Sequence, residues 1–542
     1  MRLCGWATAF MLVVFSAMPA SAQSNKKYKL PLPDERVDAS RFEDFKSPWR
    51  EHLLRVREVL KIEDPLQRCL AWPDLPGSQW PAGHAASHCR HYHDDSVGIY
   101  TLDWLESLLS QGDLAAINAA LNKRLELHFK PEPGFHEAIH FLFDKIEADD
   151  RSDALTSRWL RAAPDDAYAL LARATFYRKE AWKARGARYA AKTPASQMSR
   201  MSELAERSVP LYRKAIAINP RLMPAYEGML NVATADSLDA VAEEAIKGAQ
   251  KQDPACPAIA RERMRAMQPR WGGSYEAMDA YATELDRLTV SRPLLALYVG
   301  APFADASDMA GDQEGREAEE LAVKLSQEAI RRGSNLTDLS DAASRANILH
   351  RRNKLSHEGI GDSVAMALQY ERFHGRPPSW TLNWLAHVFV RRDPAMALRY
   401  ADMAIGEEPE STNNQYILAA SLYNTGQPEP ADYYYRLAME DKNPDMRLTA
   451  LREVAQMWIG SPDVSNEVAV TRGAPYVAVL EKEYPKEGRA GFLRLALEHR
   501  RNGRVEVDSM RKALAGHDAS DHWQAEKAED LRKTLESAPQ VP

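Results

Sequence analysis

The chain has 542 residues, 45% hydrophobic and 27% charged, with a formal charge of −7. These are ordinary values for a globular protein and exclude a wholly disordered or collagen-like chain. Only one apolar stretch, at the N-terminus, approaches bilayer length, which excludes a multi-span membrane protein; the acidic balance gives no general bias toward nucleic acid.

Met1-Arg2 supplies a positive start, an apolar run spans Leu3 to about Met18, and Ala20-Ser21-Ala22 fits the small-x-small rule for signal peptidase. Residues 1–22 are therefore expected to be removed, with Gln23 the first mature residue. Cys4 lies too far upstream for a lipid-anchored start. The expected location is periplasmic or secreted, as in a bacterial exported protein, with no stable membrane anchor after cleavage.

Residues 23–100 form an N-terminal segment. Export favours cysteine pairing. Cys69 and Cys89 bracket Leu70–His88, which is rich in Pro, Gly and Trp and has little helical pattern. Closing that loop is worth about 3 kcal/mol, so Cys69 and Cys89 are expected to pair. Cys256, beside the Asp253-Pro254 turn, is expected free and buried. His84, His88, Cys89, His91, His93, Asp94 and Asp95 crowd one stretch. Such a set can bind a transition metal weakly, but the disulfide claims Cys89, and a solvated His-rich turn is expected.

From residue 101 onward, apolar residues recur at three- and four-residue spacing, the helical period. Residues 101–298 read as a degenerate repeat-like helical domain. Asp103–Leu109, Gly112 and Asp113–Leu127 form a hairpin. Ala167–Tyr177 and the Tyr212, Ala215, Asn219, Pro220 set form another, separated by an insertion at Trp182–Arg200. Ser274 is placed to cap the helix starting at Tyr275. Val299–Arg316 is rich in Gly, Ala and Asp, and residues 299–316 are expected to be a linker.

The sharpest chemical signal is His136-Glu137-Ala138-Ile139-His140. On a helix the two imidazoles share a face and can hold one zinc, with Glu137 as general base. No convincing third ligand follows, and a structural helix over Phe135–Ile146, packed through Phe135, Ile139, Leu142 and Phe143, is the preferred reading. No phosphate-binding glycine loop or nucleophile elbow occurs, and no cofactor is expected.

In residues 317–542 a pattern repeats at an offset of 34. Trp384, Leu385, Ala386, Val388, Phe389, Ala397, Tyr400, Ala401 and Ala404 are matched by Leu418, Ala419, Ala420, Leu422, Tyr423, Ala431, Tyr434, Tyr435 and Ala438. A fixed period with small and large apolar residues at set places is the signature of a stacked array. Phe492–Arg501, Asn502-Gly503 and Val505–Leu514 form a late hairpin. The pattern resembles the tetratricopeptide repeat. Trp159 to Pro164, Trp182 with Ala184-Arg185-Gly186, and Pro269-Arg270-Trp271-Gly272-Gly273-Ser274 together resemble a bacterial family of exported tetratricopeptide-like proteins carrying a domain of unknown function, over roughly Asp64–Ala280. Arg185 and Arg270 are expected to brace turns rather than bind an anion.

These resemblances imply an all-α fold of helical hairpins stacked into an α-solenoid, and assign no activity. The expected function is a non-enzymatic exported scaffold for protein–protein or peptide interaction, its partner an unidentified protein or peptide of the cell envelope and not nucleic acid. In the tetratricopeptide family the first helix of each hairpin lines the concave side, which implies a groove at Leu382, Phe389, Tyr416, Tyr423 and Asn424. The alternative is a zinc-dependent metallohydrolase using His136, His140 and Glu137.

Overall fold

The computed structural model describes residues 28–30, 39–93, 100–130, 138–188, 192–352 and 360–537. Among them no strand occurs, and no helix is long and apolar enough to cross a membrane. The expected signal segment and cleavage point lie outside the described residues. The described chain forms two compact units, one over residues 44–376 and one over 28–43 with 377–537.

The first unit opens with α1 (Trp49–Val59), α2 (Pro65–Ala71) and α3 (His84–His93). Cys69 and Cys89 are bonded, joining α2 to α3, and Cys256 is free and buried. The loop between them is anchored on the unit's last helix: the Arg372 guanidinium donates to the Cys69 carbonyl at 3.0 Å and to Asp74 at 2.7 Å.

Hairpins follow. α4 (Leu102–Gln111) and α5 (Leu114–His128) turn at Gly112, whose φ of 73° suits glycine; Asp113 then caps α5 at the Ala116 amide. α6 (His140–Asp144) and α7 (Asp150–Ala162) lead to α8 (Ala167–Arg185) and α9 (Ala195–Ile218). These two helices pair along much of their length and occupy most of the expected insertion. α10 (Met223–Asp236), α11 (Asp239–Gln252) and α12 (Pro257–Ala266) stack next, and α10 meets α9 where a Cβ on Gly228 would fall 2.3 Å from the Tyr212 ring. Trp159, Ile117, Ile139, Leu142 and Tyr212 share one buried core.

Ser274 caps α13 (Tyr275–Leu288) at the Ala277 amide, as expected. Arg185 lies over the Trp182 and Trp271 rings and is buried, the bracing role expected of it. The segment 299–316, expected as a linker, instead carries α14 (Ala296–Val299) to its end and α15 (Ala301–Gly311), which packs on α16 (Arg316–Arg332). Small residues such as Gly300, close against the Ala329 carbonyl, serve helix approach there. α17 (Leu336–Arg352) and α18 (Gly361–His374) complete the unit, and the chain divides after Arg376.

The second unit is a regular stack. Its helices are α19 (Ser379–Phe389), α20 (Pro394–Glu407), α21 (Thr412–Asn424), α22 (Pro428–Ala438), α23 (Pro444–Gly460), α24 (Asn466–Glu483), α25 (Gly488–Asn502), α26 (Val507–Ala515) and α27 (His522–Ser537). Each pairs with the next, and each hairpin packs on its neighbour, so the core is continuous only through stacking. The 34-residue pattern marks that core: Leu385, Ala397, Ala401 and Ala404 and their counterparts Ala419, Ala431, Tyr435 and Ala438 are buried, as is Tyr400, whose counterpart Tyr434 is half-buried. Buried Asp432 ties three helices, accepting from Trp458 Nε1 at 2.8 Å and Tyr476 Oη at 2.6 Å. Residues 28–30 run along the outer helices, with Tyr28 Oη donating to Asp402 at 2.7 Å and Lys29 exchanging backbone bonds with Gln427.

Candidate functional site

In the second unit the first helices of successive hairpins, α23, α25 and α27, line a cavity of about 630 Å³ with Arg391, Glu453, Gln456, Arg489, Asp521, Trp523 and Glu526 on its walls. Arg489 is fixed by Asp521 at 2.9 Å and lies over the Trp523 ring. The lining is thus one aromatic wall among charges of both signs.

The residues expected in a groove divide. Leu382 and Phe389 are fully buried. Phe389 packs on Tyr400 and Phe42, so both residues belong to the core between hairpins and offer nothing to a partner. Tyr416 is half-buried beside His387 and Tyr435. Burial first, and then Glu453, push its phenol up to about 12, and the cavity's Arg391 and Arg489 also act on it. Tyr423 is half-buried, while exposed Asn424 spends its amide on the Ala420 carbonyl at 2.8 Å. The charged lining was missed because isolated Arg and Glu on helices read as a solvated face.

The stretch expected as a solvated His-rich turn is α3, which is packed inside through His84, Ser87, His88 and Cys89, while Tyr92 near its end is exposed. His84 and His88 are buried. His84 Nδ1 meets the Pro293 carbonyl at 2.9 Å, and a carbonyl only accepts, so that nitrogen carries the proton. Ser334 Oγ therefore donates to His84 Nε2 at 2.8 Å and accepts from His88 Nδ1 at 2.7 Å. His88 stacks on Phe373 with ring centroids 4.1 Å apart. Burial lowers the His84 pKa to about 4 and holds His88 well below its ordinary value. Asp94 and Asp95 lie outside the described residues.

His136 and Glu137 also lie outside the described residues. The expected helix is present from His140, while Ala138 and Ile139 form a turn before it. His140 points into the unit, where Nδ1 donates to Glu227 Oε2 at 2.7 Å. Arg261 in turn binds the other Glu227 oxygen.

Around His140 the fold gathers residues that no sequence spacing connects. His128, at the end of α5, places Nε2 3.2 Å from Asp253 Oδ2, and Arg292 Nη2 reaches Asp253 Oδ1 at 3.4 Å. Cys256 occupies the N-cap position of α12. Donor atoms of His128, Asp253 and Cys256 all lie within 4.8 Å of one another. His140 Nε2 is buried with no nitrogen or oxygen partner, and Cys256 is the group against it. Burial raises the Cys256 thiol pKa, but hydrogen bonding to His128 and His140 more than reverses this and leaves it lowered. Burial likewise opposes charge on His140, but Glu227 and Cys256 together outweigh it, so the imidazole ends well above its usual value.

The fold is an all-α stack of paired helices with a tetratricopeptide-like repeat. No family model and no curated protein sequence matches the chain. Among solved structures, it is similar to the P58(IPK) TPR domain, at 11% identity and a TM-score of 0.23, covering 78% of this chain and 99% of that one. It is also similar to a monomeric mutant of IFIT1 with Gppp-AAAA, at 13% identity and a TM-score of 0.20, covering 91% and 96%. Both scores are low, and the repeat assignment rests on the helix pairing within this chain.

Proposed function

We propose that this chain is an exported, non-enzymatic helical-repeat scaffold that holds a segment of a partner protein or peptide in the cavity of the second unit. The observation that carries this is the cavity's construction. First helices of successive hairpins line it, as in the tetratricopeptide arrangement, and set Trp523 among Arg391, Glu453 and Arg489. An extended concave face is what such stacks present to partners. The mixed charge favours a polar segment with one apolar or aromatic anchor. Export to the periplasm or beyond is supported by the Cys69–Cys89 bond, which needs an oxidising compartment.

A photo-crosslinking residue at Gln456 tests the site in whole cells, with exposed Val468 on α24 as the control position. Adducts should form from Gln456 and fall when Trp523→Ala and Arg489→Glu are introduced together. Adducts from Val468 alone, or adducts from Gln456 untouched by the double change, would place the partner elsewhere.

A further inference from the structure

His128, Asp253, Cys256 and His140 come from three separate stretches, and none is used by the groove. We propose that His128, Asp253 and Cys256, with His140 as the fourth donor, form a structural zinc site in the first unit. The proposal is independent of the partner groove.

The donor set comes first. Imidazole nitrogen, thiolate sulfur and carboxylate oxygen are the ligands zinc takes, four at a time in a closed tetrahedral site. Donors around such an ion sit about 3.3–3.8 Å apart, given metal–ligand lengths of about 2.0–2.3 Å. His128 Nε2 donates to Asp253 Oδ2 at 3.2 Å, and donor atoms of His128, Asp253 and Cys256 lie within 4.8 Å of one another, so an ion replacing that proton draws the three together, with His140, which lies outside that set, closing on it from the Cys256 side.

The second observation is His140. Its Nδ1 must carry a proton, because Glu227 can only accept. A binding ion would displace the proton on Nε2 and take its lone pair; that atom is buried beside the Cys256 thiol with no nitrogen or oxygen partner. A carboxylate fixing the far nitrogen of a ligating histidine is the arrangement that orients zinc ligands. Here Glu227 is itself held by Arg261, and Arg292 reaches both Asp253 oxygens, Oδ1 at 3.4 Å and Oδ2 at 3.5 Å.

Burial decides between a structural ion and a nucleophile. His128, His140, Asp253 and Cys256 are 0%, 3%, 6% and 1% exposed. A catalytic Cys–His pair needs a face open to substrate; a structural ion needs four ligands and none open. The ion would join the end of α5, the start of α6 and the turn entering α12. Thiolate and carboxylate together neutralise a divalent cation, so no net charge is buried.

The experiment uses the mature full-length chain, purified without chelator and assayed for metal, then stripped and titrated with Co²⁺. One zinc per purified chain is expected. Co²⁺ should produce a thiolate-to-metal charge-transfer band and tetrahedral ligand-field absorption, saturating at one equivalent. Cys256→Ser should abolish the charge-transfer band. Glu227→Gln, which keeps every ligand, should weaken binding about 10–100-fold. Bound metal should also shield Cys256 from alkylation in partly denaturing urea, a readout on the wild-type chain alone. Metal-free purified protein that stays folded and gives no cobalt band overturns the proposal. So does a band that survives in Cys256→Ser, or one lost only when His84 and His88 are changed.

Discussion

His84 and His88 share one serine hydroxyl, whereas His128 and His140 both meet the Cys256 thiol and each also meets a carboxylate. Both pairs are buried in the same unit, and their partners alone set them apart. On α3, the contacts on His84 Nδ1, His84 Nε2 and His88 Nδ1 are neutral, the rings stay uncharged, and Phe373 packs on His88 as on any aromatic. Around Cys256 the partners are ionisable, and one ring nitrogen faces sulfur. A buried histidine is therefore a core residue or a ligand according to what its second nitrogen meets, not according to its exposure.

The largest expected effect separates the two pairs by mutation. Glu227→Ala removes the carboxylate from buried His140 and should cost about 3–5 kcal/mol, as breaking a buried ion pair does. Ser334→Ala removes two neutral hydrogen bonds and should cost about 1–3 kcal/mol. Urea unfolding of the two variants reads the difference; equal losses would mean that both clusters are ordinary polar core.

Acid sharpens the comparison from the other side. Burial, with Arg372 nearby, lowers His52 to about 4, and burial lowers His84 to about 4. Both folded values lie below the unfolded value of about 6.5. The stability they contribute is thus fully present above pH 6.5 and is lost as pH falls through 4. The limit is about 3 kcal/mol for each. Denaturant midpoints across that window should fall in wild type and fall less in His84→Asn, whose side chain cannot take up the proton.

The smallest effect belongs to the second unit. Glu453→Gln on the cavity wall should change stability by about 0.5 kcal/mol or less, as surface substitutions do, while reducing crosslinking at Gln456. A large loss of melting temperature instead would make Glu453 a packing residue and remove the groove.

The sequence carried the repeat architecture well, because small and large apolar residues at a period of 34 mark where helices must approach, and Ala397, Tyr400, Ala431 and Tyr435 lie in the core where that pattern puts them. The Cys69–Cys89 bond, the Ser274 cap and the buried, free Cys256 were legible from local chemistry and compartment. The burial of α3 was not, since histidines carry no apolar stripe and their partners, Pro293 and Ser334, come from distant hairpins. Leu382 and Phe389 misled because a first-helix position can face the groove or the preceding hairpin, and spacing alone does not choose. The Cys256 cluster was least legible: His128 and Asp253 are separated by 125 positions, and only stacking brings them together.

Zinc-dependent thermal unfolding tests the contrast between the two pairs most directly. A ligand that binds only the folded chain stabilises it by about 4 kcal/mol at a thousandfold excess over Kd. The stripped wild-type chain should gain melting temperature on adding Zn²⁺, His88→Gln should gain as much, and Cys256→Ser should gain nothing. A wild-type chain that melts at the same temperature with and without zinc, or a Cys256→Ser chain that gains equally, would contradict the assignment.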